Sequence, residues 1–405
     1  MTIIAEIGTA HGASLDKAFA LIDAAADAGA DAVKFQWVYA DEILHPNTGF
    51  VSLPGGSVRL YDRFKALEVS PSFFADCLAY TRKKGLLFAC SPFGLRSLRE
   101  LAALEPDAIK IASPEVNHIP LLRECAQYYR RIPIILSSGV SKLGDIEKAI
   151  DILESTVAEE VAKSPQRTLP LAPLTLLHCL TFYPAPENEY NVRCVDTLHR
   201  TFGIPTGISD HSLDPVLVPV LSTMAGGSMI EKHITLSRKT DGLDDPVALE
   251  PEQFAQMVHA VHQTEALLAR YRREAEACGI AEGATIGMGN LAFTPAQAEI
   301  MKQLSGEYGE EKVLGVLGSG IKRLAASERA NYGRTNRSLH YLHAMHKGER
   351  IRAEDVAVLR TEKVLSPGIA PDFLDAVTGA ALFRNVAAGA GVQWEDMLDK
   401  ESSLS

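Results

Sequence analysis

The sequence has no CxxC pair, and its 6 cysteines (77, 90, 125, 179, 194 and 278) follow no regular spacing. Neither a disulfide framework nor a thiolate zinc site is indicated. Buried free thiols in a reducing cytoplasm are the plain expectation. No run of about 18 apolar residues occurs, so no membrane span is expected. The opening stretch, MTIIAEIGTAHG, carries no basic group ahead of its apolar residues, so no secretory leader is expected there. The chain also lacks an excess of positive charge. At net −11 over 405 residues it is a poor general binder of nucleic acid or anionic membrane, since both need a basic surface. An anionic small substrate stays open, because a local basic pocket can sit on an acidic protein.

A glycine-rich phosphate loop is missing too. "AEIGTAHGAS" follows the first apolar run and is not GxGxxG, which argues against an open doubly wound sheet. What is present is ordinary soluble composition, 46% hydrophobic and 22% charged, with enough length for one large core and one small one. Short apolar runs alternate with amphipathic stretches. The runs predict strands over 3–7, 32–35, 86–90, 108–111, 134–137, 174–179, 205–209 and 229–233. Near-continuous apolar strands imply a sheet buried on both faces. Eight such strand–helix units predict an α/β fold, a (β/α)8 TIM barrel, over residues 1–278. Residues 37–70 interrupt the repeat on the side where barrel active sites lie. Residues 155–173 interrupt it at the opposite end and read as a surface loop. Residues 279–335 read as a linker with a helix. Residues 336–400 read as a compact β-rich module of about 65 residues, near the lower limit for a core of its own.

Barrel chemistry sits at the C-terminal ends of the strands. In order, those ends offer Glu6, Lys34 with Gln36, Ser91, Lys110 with Ser113, Ser137, His178, Ser209 with Asp210 and His211, and Glu231 with Lys232 and His233. One polar strand end merely reaches water; this many on one face suggest a site. His211 and His233, ending adjacent strands, read either as core histidines or as two ligands of one borderline ion such as Mn²⁺. Lys34 and Lys110, among the hydroxyls of Ser91, Ser113, Ser137 and Ser209, read as an anion cradle. A Schiff-base lysine is the rival reading.

These motifs resemble the N-acetylneuraminate (sialic acid) synthase family. "AEIGTAHG", "VKFQ", "FACSPF", "IKIAS", "ILSSGV", "LLHCLTFYPAPENEYN", "GISDHS" and "IEKHIT" follow the family's order, and "DGLDDPVALEP" is similar to a later element. The tail, "NRSL…KGERI…SPGI", resembles the small antifreeze-like (SAF, β-clip type) domain that follows the barrel there. The resemblance implies condensation of phosphoenolpyruvate with an open-chain N-acetylated amino sugar, N-acetylmannosamine by default. A sialic-acid-type nonulosonate and phosphate would result. By motif, Lys34, Ser91, Lys110, Ser113, Ser137 and Ser209 would hold phosphoenolpyruvate. His211 and His233 would hold Mn²⁺ or Mg²⁺. Glu6, Gln36, Glu115, Tyr183, Glu231 and Asp244 would face the sugar or the attacked water. Arg337 would reach the partner's site in a domain-swapped homodimer.

Ala10, Gly56, Thr181, Asp245-Pro246 and Asn336 depart from the family pattern. Most of these lie on the sugar side, so a legionaminic- or pseudaminic-type product is a close alternative. Another phosphoenolpyruvate-dependent 3-deoxy-ulosonate synthase, a non-catalytic sugar-binding relative and a metal-dependent barrel hydrolase are the further rivals.

Overall fold

A computed structural model describes the chain except residues 54–55, 164–172, 241, 278–285, 289–290, 362–363 and 399–405. Eight parallel strands close into a barrel. They are β1 (Thr2–Gly8), β2 (Ala32–Trp37), β3 (Leu87–Pro92), β4 (Ala108–Ile111), β5 (Ile134–Ser137), β6 (Leu174–Cys179), β7 (Thr206–Asp210) and β8 (Met229–His233). β1 pairs with both β2 and β8, which closes the ring. The apolar runs therefore place every strand to within two residues.

Helices cover the outside: α1 (Leu15–Asp27), α2 (Pro71–Lys83), α3 (Leu95–Ala103), α4 (Ile119–Tyr128), α5 (Leu143–Lys163), α6 (Cys194–Phe202), α7 (Leu217–Met224) and α8 (Pro251–Ala277). Their starts follow capping chemistry. Ser14 Oγ accepts from Lys17 N at the head of α1, and α2 and α8 open on proline, whose missing N–H is no loss there. α5 runs on to Lys163, so the expected loop from 155 is helical at first; the rest of it lies outside the described residues.

The barrel interior is layered, because inward side chains recur every second residue. Ile4, Ala32, Ile135 and Leu177 form one buried cluster, with Ala108 and Met229 against it. Two residues further along the same strands stand Glu6, Lys34, Ser137, Cys179, Lys110 and Glu231. An apolar plug thus floors a polar layer. Gly207 takes the inward place on β7, where a Cβ would lie 2.0 Å from the Met229 carbonyl oxygen.

The interruption at 37–70 forms a short helix (Ala40–Ile43), a hairpin (Phe50–Leu53 with Gly56–Arg59) and a second short helix (Leu60–Lys65) at the barrel mouth. The segment expected to be a linker carries two helices, α9 (Pro295–Tyr308) and α10 (Glu310–Leu317). Ile300, Met301, Leu304, Val313, Val316 and Leu317 belong to the same core as the barrel. Their apolar stripe fixes them to α7 and α8, so they are walls and not a tether. Residues 318–336 then run back over the barrel mouth. The small domain pairs β9 (Arg337–Tyr341) with β10 (Val356–Arg360) antiparallel. It has its own core around Leu339, Tyr341, Val358 and Val392.

The described cysteines, Cys77, Cys90, Cys125, Cys179 and Cys194, are free and buried. Cys278 lies outside the described residues. Among the described residues no helix is long and apolar enough to cross a membrane.

Candidate active site

A cavity of about 470 Å³ opens at the C-terminal ends of the barrel strands. Its lining includes Glu6, Lys34, Gln36, Ser91, Lys110, Ser113, Ser137, Tyr183, Ser209, His211, Glu231, His233 and Asp244. Glu115 and Arg337, expected to bind substrate, are not in its wall.

Strand register builds the polar layer. Glu6 stands opposite Lys34 on one side and His233 on the other, and Glu231 stands opposite Ser209. Lys34 Nζ lies 2.9 Å from Glu231 Oε1 and 3.4 Å from Glu6 Oε2. Lys110 Nζ donates to Ser137 Oγ at 2.6 Å and lies 3.7 Å from Glu231 Oε2. Ser209 Oγ donates to Glu231 Oε1 at 2.9 Å. Burial works against the Glu231 charge, but the two lysines overcome it and hold its carboxyl down at about 2. Burial depresses Lys110 to about 8, with Lys34 adding to the effect and Glu231 opposing it. Glu6 is pushed up to about 7, chiefly by burial and against the pull of Lys34. Gln36 Nε2 donates to Glu6 Oε1 at 2.8 Å, which fixes the carboxyl plane. Ser91 Oγ, Glu6 Oε2 and Glu231 Oε2 are buried without a hydrogen-bond partner among the described residues. Unsatisfied polar atoms in a cavity mark where a ligand's polar atoms belong.

Three further strand-end residues, Asp210, Lys232 and His178, stay out of the cavity wall. Asp210 and Lys232 are out of phase with the inward set, and they pair with each other at 2.6 Å. Lys232 Nζ also donates to Ser212 O at 2.7 Å and to Asp214 O at 3.1 Å, which anchors the loop after His211. His178 Nε2 bonds the Tyr190 carbonyl at 2.6 Å and takes no part in the cavity wall.

His211 and His233 have ring centroids 5.6 Å apart. His211 Nδ1 lies 2.8 Å from Leu180 O. A carbonyl only accepts, so Nδ1 carries a proton. Burial lowers this imidazole, but Cys179, the Leu180 carbonyl and Glu231 outweigh it and raise it to about 8, so Nε2 presents a lone pair only once the ring gives up its second proton. Burial and neighbouring His211 hold His233 well below the usual histidine range, which keeps its imidazole neutral. Asp244 Oδ2 lies 4.0 Å from His233 Nδ1, and burial raises that carboxyl to about 6. Among the described residues no three His, Cys, Asp or Glu side chains gather as a metal cluster. The donor set nevertheless fits a divalent ion held by two imidazoles, with its remaining positions left to oxygen ligands from substrate or water.

Glu115 and Arg337 have a different place. Arg337 Nε donates to Glu115 Oε2 at 2.6 Å, and both side chains are fully buried. The guanidinium also donates to the carbonyls of Phe93 at 2.8 Å and Glu42 at 2.6 Å. Asn117 closes the contact, donating to Arg337 O at 2.8 Å and accepting from Arg337 N at 2.9 Å. Arg337, expected to reach a partner's site, is seated here on its own barrel, where protein atoms engage its guanidinium.

Arg360, the register partner of Arg337 across the hairpin, is the small-domain arginine in the cavity wall. Its Nη2 lies 2.7 Å from Glu115 Oε1, and its guanidinium lies 5.2 Å over the Phe93 ring. Asn331 and Thr335, from the returning segment, also line the cavity. No motif in the sequence singles out Arg360. The usable signal was that a hairpin strand starting at Arg337 needs an antiparallel partner, and "AVLR" is the nearest apolar run.

Residues 21–273 match the model described as the NeuB family, and 336–398 match the SAF domain. The chain belongs to the NeuB family. This NeuB-family chain is an enzyme, of the acid synthase, transferase type. The spore coat polysaccharide biosynthesis protein SpsE of Bacillus subtilis is 31% identical over 99% of this chain and 94% of its own. An N,N'-diacetyllegionaminic acid synthase of Legionella pneumophila is 29% identical over 97% of this chain and 93% of its own. Among solved structures, SpsE superposes with TM-score 0.74 at 29% identity, covering 98% of this chain and 95% of that one. A sialic acid synthetase of Leptospira borgpetersenii does so with TM-score 0.57 at 29% identity, covering 76% and 91%.

Proposed function

We propose that this NeuB-family enzyme condenses phosphoenolpyruvate with the aldehyde of an open-chain N-acylated amino sugar, giving a nine-carbon 2-keto acid and phosphate. One observation carries the reading. Two buried lysines and unsatisfied hydroxyl and carboxyl groups line the same barrel cavity as a pair of neutral-capable imidazoles. An anion cradle beside a divalent-ion site suits an anionic enol donor and a carbonyl acceptor.

In this reading Lys34 and Lys110 hold the anionic groups of phosphoenolpyruvate by charge, with Ser91, Ser113, Ser137 and Ser209 donating hydrogen bonds. His211 and His233 would hold the ion, Mn²⁺ or Mg²⁺, which supplies Lewis acidity at the aldehyde oxygen. Carbon 3 of phosphoenolpyruvate bonds to the aldehyde carbon. Carbon 2 then takes water, and the tetrahedral adduct expels phosphate by C–O cleavage. Glu6, raised toward neutrality, is suited to hold the proton of that water at Oε2 while Gln36 pins Oε1. Tyr183, Asp244 and Arg360 face the acceptor side. Phosphate release from phosphoenolpyruvate, assayed over a panel of amino sugars, tests the reaction class; no release with any of them sinks the reading.

The acceptor is part of the proposal. N-acetylmannosamine is the default, and a di-N-acetylated hexose giving a legionaminic- or pseudaminic-type acid is favoured beside it by the full-length Legionella relative. The enzyme is proposed to work in the cytoplasm as a homodimer, in which the Glu115–Arg337 seat could equally be made between exchanged domains.

A further inference from the structure

Glu328 lies on the segment that joins the barrel helices to the small domain, and it is 1% exposed. Its Oε1 accepts from Val140 N at 2.8 Å and from Thr181 N at 2.9 Å, and its Oε2 accepts from Ala325 N at 3.2 Å. Val140 follows β5 and Thr181 follows β6, so one carboxylate clasps two neighbouring loops of the cavity.

The β5 loop needs a clasp. Val140 sits at φ 43°, a left-handed conformation that a β-branched residue rarely adopts and that its surroundings must enforce. Glu328 holds its N–H, and Asn336 Nδ2 donates to its carbonyl at 3.2 Å. One residue earlier, Gly139 N donates to Ser113 Oγ at 3.0 Å. Gly139 has no room for a side chain: a Cβ there would lie 2.0 Å from Thr181 Oγ1. Lys322 Nζ donates to Ser138 O at 2.9 Å. Ser113, a hydroxyl of the anion cradle, is therefore bonded by a loop whose shape is set by the returning segment, and Ser137 ends the strand that enters that loop.

We infer that Glu328 is a positioning residue for the anion cradle, acting through Val140 and Thr181 and touching neither substrate nor cavity. The inference rests on the function proposed above. Sub-ångström placement of positioning groups is worth large factors in rate, so a loosened loop should be visible in kinetics.

The test uses the full chain carrying Glu328→Ala, Glu328→Gln or Asn336→Ala. Glutamine keeps a carbonyl oxygen for the Val140 and Thr181 amides; alanine leaves both without an acceptor. Glu328→Ala should raise KM and Kd for phosphoenolpyruvate about tenfold, while KM for the amino sugar moves less. Glu328→Gln should stay within about threefold of wild type. A merely structural role would lower the melting temperature and the active fraction but leave KM and Kd unmoved. A folded Glu328→Ala protein with wild-type phosphoenolpyruvate KM and Kd overturns the inference. Should that variant not fold, Asn336→Ala decides: a rise of about fivefold supports the clasp, and an unchanged value overturns it. Absence of turnover in the wild type defeats the proposed function instead, and the clasp is then judged by calorimetric binding of inorganic phosphate to the same variants.

Discussion

Glu231 stands between the two buried lysines, with Oε1 2.9 Å from Lys34 Nζ and Oε2 3.7 Å from Lys110 Nζ. It is the near counter-charge that both ammonium groups share. Removing one partner of a buried ion pair leaves the other charge uncompensated, at a cost of about 3–5 kcal/mol. Glu231→Ala should therefore lower stability by an amount of that order. An added anion should offset part of the loss, because it binds only the folded state. Thermal melts with and without phosphate check this. The variant should gain more melting temperature from phosphate than wild type does; an equal or smaller gain contradicts the shared-charge picture.

The same cavity predicts how anion binding depends on pH. Lys110 is depressed to about 8 and Glu6 raised to about 7. Both bind an anion better when protonated, since one is then positive and the other neutral. Affinity is thus full only well below pH 7 and falls as pH rises first through about 7 and then through about 8, by at most about tenfold per unit for each group. Sulfate, which has no titration in this range, is the suitable probe. Lys110→Arg keeps its charge throughout, so its affinity should lose the fall above pH 8. Borohydride should trap no lysine adduct with phosphoenolpyruvate; a trapped adduct would favour a Schiff-base aldolase.

The barrel and most of its site were legible because their signals are local. Each strand is one apolar run, and alternation along it decides which strand-end residue looks inward. Alternation also separates Glu231 and Ser209, which line the cavity, from Lys232 and Asp210, which pair outside it. The remainder depended on distant contacts. Arg337 and Arg360 meet on Glu115 through a hairpin register, and Glu328 meets Val140 across 188 residues. The apolar stripe of α9 resembles that of any linker helix until α7 and α8 are seen to cover it.

The imidazole pair predicts a metal requirement with a readout apart from turnover. His211→Ala or His233→Ala removes one of two nitrogen donors. Loss of one ligand should weaken Mn²⁺ binding, measured by calorimetry, by more than the about 10–100-fold typical of losing an outer hydrogen-bond partner. Chelator should abolish wild-type turnover, and added Mn²⁺ should restore it. Undiminished Mn²⁺ affinity in both variants would remove the two histidines from the metal site.

The last prediction separates the two arginines of the small domain. Arg337 is buried on Glu115 and on the backbone carbonyls of Phe93 and Glu42. Its removal strands a buried carboxylate partner and unseats the domain. Arg360 also bonds Glu115, but it lies in the cavity wall. Arg337→Ala should therefore expose the 318–336 segment to limited proteolysis and lower stability by about 3 kcal/mol, with both KM values rising together. Arg360→Ala should leave the proteolysis pattern near wild type and raise KM for the amino sugar about tenfold or more. Its KM for phosphoenolpyruvate should change little, since the lysine cradle lies deeper in the barrel. If Arg360→Ala loosens the domain while Arg337→Ala alone alters sugar KM, the roles assigned from the Glu115 contacts are reversed.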